Sequence, residues 1–162
     1  MHTHSGKTLA FGLPALARLV ASPLPKDKKS KGKGTTSVSV LVVAPTRELA
    51  LQTHETLEKL GEPLGIASVA VFGGVDKGAQ IKALKGARIV VGTPGRILDL
   101  VNEGACDLSR VSYLVLDEAD RMLDKGFEND IRRIIGHTLQ GAERQTLMCT
   151  SSPGASQFRL SC

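Results

Sequence analysis

The amino-acid sequence predicts an α/β fold built on a parallel, doubly wound sheet. Two observations carry that reading. Short runs of consecutive apolar, mostly β-branched residues recur along the chain, the pattern of strands covered on both faces. Longer stretches with helical start and stop signals lie between them, so strand and helix alternate at βαβ spacing. SVLVVA (39–44) reads as the first such strand. TRELALQTHETLEKLG (46–61) follows as a helix, with Thr46 as its cap and Gly61 as its terminator. IASVAVF (66–72) is a second strand, DKGAQIKALKG (76–86) a short helix and ARIVVG (87–92) a third strand. PGRILDLVNEG (94–104) opens on proline and stops at glycine, as helices do. VSYLVLD (111–117) is a fourth strand, NDIRRIIGHTL (129–139) a further helix and QTLMC (145–149) a fifth strand.

In such a sheet, ligands sit beyond the carboxyl ends of the strands. Four groups of residues fall there, each straight after an expected strand: Thr46 and Arg47, Gly73 and Gly74, Thr93 to Arg96, and Asp117 to Asp120. The expectation is that Thr46, Gly74, Thr93 and Asp117 line one edge of the sheet.

A length of 162 residues fits one domain with a sizeable core. Apolar residues at 41% and charged residues at 23% exclude a disordered chain. The apolar runs are too short to span a bilayer, and the opening residues do not read as a signal peptide. Cys106, Cys149 and Cys162 show neither metal spacing nor a CxxC pair, and their odd number fits ordinary thiols in a reducing compartment. The net charge of +5 favours a polyanionic partner. Part of it is local, in PKDKKSKGKG (25–34). Residues 25–36 are expected to be irregular and exposed, attracting nucleic-acid phosphates without sequence preference. Aromatic residues make up only 3%, which argues against a base-stacking platform.

Two motifs carry chemistry. Ser5-Gly6-Lys7-Thr8 matches the end of a phosphate-binding loop. Its glycine lets backbone N–H groups close on a phosphate, and the helix expected to begin near Lys7 adds its positive end. Lys7 can reach the β- and γ-phosphates, and the Thr8 hydroxyl can hold magnesium. The usual GxxxxGKT pattern asks for glycine where Met1 stands, so the match is incomplete, and a surface turn is the bland alternative. YLVLDEAD (113–120) ends an apolar strand in adjacent acids. Asp117 is placed to hold magnesium and Glu118 to orient or deprotonate an attacking water. Acids at a helix start are the bland alternative.

SGKT, PTRELA (45–50), GG (73–74), TPGR (93–96) and DEAD (117–120) stand in the order and spacing of the DEAD-box RNA helicases, which this sequence resembles. The resemblance covers residues 1–162 as part of the first of that family's two RecA-like domains, a P-loop fold with helices on both faces of its sheet. ARIVVGTPGRILDLVNEG and DLSRVSYLVLDEADRMLDKGFENDI look most like nucleolar ribosome-assembly members from fungi. The resemblance implies an ATP-dependent RNA helicase in rRNA processing and ribosome biogenesis, in the nucleus and nucleolus, with ATP and Mg2+ as cofactors. The implied partners are RNA and pre-ribosomal particles. The chain would be a monomer without a membrane partner. Position by position, Ser5, Gly6, Lys7 and Thr8 would bind ATP, with Thr8 and Asp117 on magnesium and Glu118 as the base. Asp120 would relay contacts to the motif after the fifth strand. Pro45, Thr46, Arg47, Gly74, Thr93, Pro94, Gly95 and Arg96 would line the RNA backbone path. Phosphate contacts carry little base specificity, and the 2′-hydroxyl would distinguish RNA from DNA.

Three departures from the family's pattern are expected to matter. His4 stands where the family has glycine, with no strand or glutamine motif before it. Thr150-Ser151-Ser152 stands in place of Ser-Ala-Thr, and the second domain is absent, so the fold is expected to be truncated at both ends. The chain alone is expected to bind ATP–magnesium weakly and to turn it over hardly at all. Two other readings stay open at this point: an RNA-binding fragment without turnover, and a different P-loop NTPase.

Overall fold

The computed structural model describes residues 4–22 and 38–151, with side chains from Gly6 onward. Met1, the His4 and Ser5 side chains, the basic stretch 25–36, Ser152 and Cys162 lie outside the described residues.

A five-stranded parallel sheet forms the centre. Its strands are β1 (Val40–Val43), β2 (Ser68–Val71), β3 (Ile89–Gly92), β4 (Tyr113–Leu116) and β5 (Gln145–Met148), in the order β2-β3-β1-β4-β5. The three inner strands β3, β1 and β4 are buried throughout. That is why their sequences are continuous apolar runs and do not alternate.

Among the described residues, two helices cover one face and four the other. On the first face, α1 (His4–Ala21) and α2 (Arg47–Gly61) pack Phe11, Ala15, Leu16, Leu19, Leu49 and Leu57 against Val40, Val42, Ile89, Val91 and Val115. Tyr113 points to the same side, and its hydroxyl donates to Phe11 O at 3.1 Å. On the second face lie α3 (Lys77–Leu84), α4 (Pro94–Asn102), α5 (Ala119–Asp124) and α6 (Glu128–Gly136). Their Leu84, Ile97, Leu100, Met122, Ile131 and Ile134 bury Leu41, Val43, Val90, Leu114 and Leu116. Helices on both faces and a wholly parallel sheet are what the sequence predicts.

Several boundaries differ from the sequence reading. The first helix, expected near Lys7, begins at His4, so Ser5 to Thr8 lie inside its first turns. The sequence allows a helix start at the acids of 117–120 only as the bland alternative, and the structure does open one there: α5 begins at Ala119 and includes Asp120. It is under two turns long, too short to show a helical period. The helix expected over 129–139 stops at Gly136. Beyond it Ile135 O accepts from the Thr138 amide at 3.1 Å, and the Thr138 hydroxyl and the Gln140 side-chain amide add bonds at 2.7 and 3.0 Å, which closes the helix end.

Candidate functional site

Strand register sets the geometry of the site. Val43 pairs with both Gly92 and Leu116, Gly92 with Val71, and Leu116 with Met148, so all five strands end level. The segments beginning at Ala44, Phe72, Thr93, Asp117 and Cys149 therefore leave from one rim. Thr46, Gly74, Thr93 and Asp117 share that rim, as expected. The residues that flank the 23–37 stretch lie at the opposite rim. Arg88, just before β3, donates to Leu19 O and Ser22 O at 3.2 and 3.0 Å, and its carbonyl accepts from Ser39 N at 2.9 Å.

One half of the rim gathers the phosphate-loop residues and the acids. Lys7 Nζ donates to Thr150 O at 2.9 Å, which holds the first turns of α1 beside the end of β5. Thr8 is buried next to it. Asp117 and Glu118 are also buried, at 4% and 3% exposure. Their backbone is pinned on both sides: Asp117 N donates to Val43 O and Ala119 N to Cys149 O, each at 2.9 Å. Glu118 takes a left-handed conformation, φ 48° and ψ 50°, and is the one non-glycine residue with positive φ among the described residues. An L-residue there is strained by roughly 1–2 kcal/mol, and such strain concentrates at functional sites. The Glu118 Oε2 accepts from Arg121 Nη1 at 2.8 Å, an ion pair with one partner buried and the other half exposed. Asp120 accepts from Ser151 twice, from the hydroxyl at 2.7 Å and from the amide at 3.2 Å. The half-buried Cys149 thiol reports the same neighbourhood. Burial raises its pKa most, Asp117 raises it further, and Lys7 works against both. Asp117 and Lys7 are thus both within electrostatic reach of that thiol.

The other half is a set of loops around the ends of β1, β2 and β3. Thr46 caps α2, its hydroxyl accepting from Leu49 N at 3.2 Å. That start turns the exposed Arg47 toward β2, where its guanidinium lies 5.4 Å over the Phe72 ring. Pro45 is buried behind them. Gly74 has φ +82°, so the turn needs glycine for conformation; a Cβ there would lie 3.3 Å from Arg47 Nη1, close enough to nudge that guanidinium. Thr93 precedes α4 without a side-chain cap, and Pro94 fills its first position. Gly95 is exposed, and a Cβ added to it would meet nothing within 4 Å. The first turn of α4 thus carries uncapped N–H groups beside open space, a surface suited to an anion.

Arg96 is less available than its sequence position implied. Its side chain is 13% exposed. Nη1 donates to Gln80 Oε1 at 3.0 Å, and Nη1 and Nη2 approach Val75 O at 3.4 and 3.5 Å. Sequence reasoning missed Phe72, Gln80 and Arg121. A phenylalanine ending a strand, a glutamine in a short helix and an arginine after an acid carry no distinctive local signal.

The comparisons agree with this geometry. Residues 1–159 match the DEAD/DEAH box helicase family. A protein named ATP-dependent RNA helicase DBP3 from Cryptococcus neoformans var. neoformans is 56% identical over 162 residues, covering 98% of this chain and 27% of that protein. The protein of the same name from Mycosarcoma maydis is 59% identical over 138 residues, covering 83% and 23%. The chain thus spans about a quarter of the length of these curated relatives. Among solved structures, a hypothetical ATP-dependent RNA helicase from Sulfolobus tokodaii superposes with a TM-score of 0.74 at 34% identity, over 94% of this chain and 40% of that one. A DEAD box protein from Methanococcus jannaschii gives 0.74 at 35%, over 94% and 38%. Sequence match, sheet order and the rim of strand-end motifs point the same way: the chain belongs to the DEAD/DEAH box helicase family.

Proposed function

We propose that this chain supplies the first RecA-like domain of an ATP-dependent RNA helicase, in which ATP hydrolysis is coupled to unwinding or remodelling of RNA duplexes. The observation that carries it is the single rim. Phosphate-loop residues and paired acids stand at one end, backbone-rich loops with exposed Arg47 and Gly95 at the other, on strands that end level. The donor set suits a magnesium nucleotide. An ammonium and the start of a helix suit phosphates, while a hydroxyl and buried carboxylates offer the hard oxygens magnesium takes.

In this reading Lys7, with Ser5 and Gly6, grips the phosphates, and Thr8 and Asp117 hold magnesium. Magnesium, when bound, neutralises charge on the phosphate oxygens. Glu118, fixed by its pinned backbone, takes a proton from the attacking water. Asp120, bonded to Ser151, links the acids to the segment after β5. Pro45, Thr46, Arg47, Gly74, Thr93, Pro94, Gly95 and Arg96 form the RNA side, with backbone N–H groups and guanidinium meeting phosphates. Contacts of that kind give binding with little sequence preference.

The resemblance to fungal ribosome-assembly members supports work on pre-ribosomal RNA in the nucleolus. Crosslinking the protein to RNA in cells tests that part, and enrichment of mRNA over pre-rRNA would contradict it. The biochemical reading is tested by ATP hydrolysis with and without single-stranded RNA, in the chain alone and in the chain joined to the second RecA-like domain of a family member. RNA-stimulated hydrolysis lost in Glu118→Gln is expected of the joined protein. RNA binding with no hydrolysis in either would leave a binding module.

A further inference from the structure

Gln80 lies in the first turn of α3 and is 7% exposed. Both ends of its amide are engaged, and by different loops. Nε2 donates to Phe72 O at 3.0 Å, at the exit of β2. Oε1 accepts from Arg96 Nη1 at 3.0 Å, at the start of α4 behind β3. A buried amide is costly unless its groups are paired, and here the pairing ties the loop after β2 to the loop after β3.

Each loop carries something further. The Phe72 ring lies under the Arg47 guanidinium, so the carbonyl that Gln80 holds belongs to the residue Arg47 stacks on. Arg96 reaches back to Val75 O, so the side chain that Gln80 orients also closes the Gly73–Gly74–Val75 turn. Asp99 lies 3.9 Å from Arg96 Nε and shares Lys77 with Glu103, which steadies the far side of the guanidinium. One side chain thereby connects the loops after β1, β2 and β3.

We propose that Gln80 is a positioning residue for the nucleic-acid backbone surface. Through Phe72 it sets Arg47, and through Arg96 it fixes the glycine turn against α4. The inference rests on the RNA-binding reading above. Its ligand is a single-stranded sugar–phosphate backbone, met by Arg47 and by the turn's N–H groups, and Gln80 itself touches none of it. A residue that only filled space in α3 would be replaceable by leucine without consequence for that surface.

The test is fluorescence anisotropy of a labelled single-stranded oligouridylate with the chain, Gln80→Leu and Gln80→Glu, across a range of salt, with melting curves alongside. Gln80→Leu removes both bonds. It is expected to bind about fivefold more weakly, at the low end of usual coupling between sites. Its salt slope should fall by about 0.7, the value for one phosphate contact on a single strand. In an Arg47→Ala background the Gln80→Leu effect should shrink by more than half, because Gln80 acts largely through Arg47. Gln80→Glu keeps an acceptor for Arg96 but turns a carboxylate oxygen toward Phe72 O where the donor stood, so it should lose the Arg47-dependent part of binding as Gln80→Leu does. It also decides the matter if the leucine variant does not fold. A variant that melts lower while keeping the parent's salt slope would overturn the positioning role and leave RNA binding intact. A parent chain that does not bind RNA would overturn the RNA reading, and this inference with it.

Discussion

The hydroxyl of Ser151 donates to Asp120 Oδ2 at 2.7 Å, and the amide of the same residue to Oδ1 at 3.2 Å. One carboxylate at the start of α5 thus holds the segment that leaves the adjacent strand β5. Burial works to raise the Asp120 pKa, and the hydrogen bonds from Ser151 and neighbouring backbone N–H groups overcome it, leaving the pKa below the usual 3.8. A carboxylate held low in the fold contributes stability that is complete above its unfolded value and is lost as pH falls through its folded value. Solvent screens this clasp, so Asp120→Asn should cost at most about 1 kcal/mol at pH 7, or about 3 °C in melting temperature for a domain of this size. The difference between parent and variant should close below pH 3.8. A gap that persists undiminished at about pH 2.5, below the ordinary carboxylate range, would show that the charge is not what holds Ser151.

Glu118 offers a test of backbone strain. Alanine ordinarily stabilises relative to glycine by roughly 0.5–1 kcal/mol. At φ 48° that order should reverse, because glycine relieves the left-handed penalty and alanine keeps it. Both substitutions lose the Arg121 ion pair equally, so their difference isolates the backbone. Urea denaturation should place Glu118→Gly above Glu118→Ala by about 1 kcal/mol. The usual order would mean that the acid loop relaxes to ordinary φ when its side chain is cut.

The sequence makes the strands and the rim legible for a physical reason. Inner strands must be apolar on both faces, and a parallel sheet sends every strand end to the same side. Thr46 is readable as a cap because a hydroxyl before a helix has one obvious partner. The helix over residues 4–21 is not readable in full, since Gly12 and Pro14 both argue against a helix interior. Burial of Phe11, Ala15, Leu16 and Leu19 outweighs them, and Gly12 becomes an asset where a Cβ would come 2.8 Å from Leu57 Cδ2. Gln80 and Phe72 escape notice because their partners lie on other loops, and Arg121 because an arginine three residues after an acid is commonplace at a helix start. The partial withdrawal of Arg96 is equally invisible, since nothing local says that Gln80 will meet it.

Two glycines at the rim should separate folding from binding. A Cβ on Gly92 would lie 2.5 Å from Val71 Cγ2 and 2.6 Å from Val71 O, inside the β2–β3 pairing. Gly92→Ala should cost about 3 kcal/mol by forcing those strands apart. Gly95 has open space around it, so Gly95→Ala should leave stability unchanged or raise it by about 0.5–1 kcal/mol. The same methyl would stand over the first turn of α4, and RNA affinity should fall severalfold. Thermal melts and RNA titrations on the two variants check this, and a Gly95→Ala that binds RNA as the parent does would remove α4's first turn from the interface.

The thiols should differ in reactivity. Burial, with Asp107 adding to it, pushes the Cys106 pKa up to about 12, so its thiolate is scarce in the folded chain at any ordinary pH. Iodoacetamide at about pH 8, near the ordinary thiol pKa, followed by peptide mapping should leave Cys106 unmodified until the chain is unfolded. Cys149, only half buried but with its pKa raised by burial and by Asp117, should react slowly and ahead of Cys106. Rapid labelling of Cys106 in the native protein would show that the α4–β4 side of the core opens readily.

In the function proposed above, phosphates bind along the carboxyl rim of this sheet, nucleotide at one end and RNA at the other. Amide chemical-shift mapping of the chain tests it most directly, with single-stranded RNA and magnesium nucleotide added separately. RNA is predicted to move the amides of Arg47, Gly74, Val75, Gly95 and Arg96, and nucleotide those of Gly6 to Thr8 and Asp117 to Ala119. Shifts confined to Ser39, Arg88 and Ser112 at the opposite rim, or none at the highest concentrations reached, would contradict it.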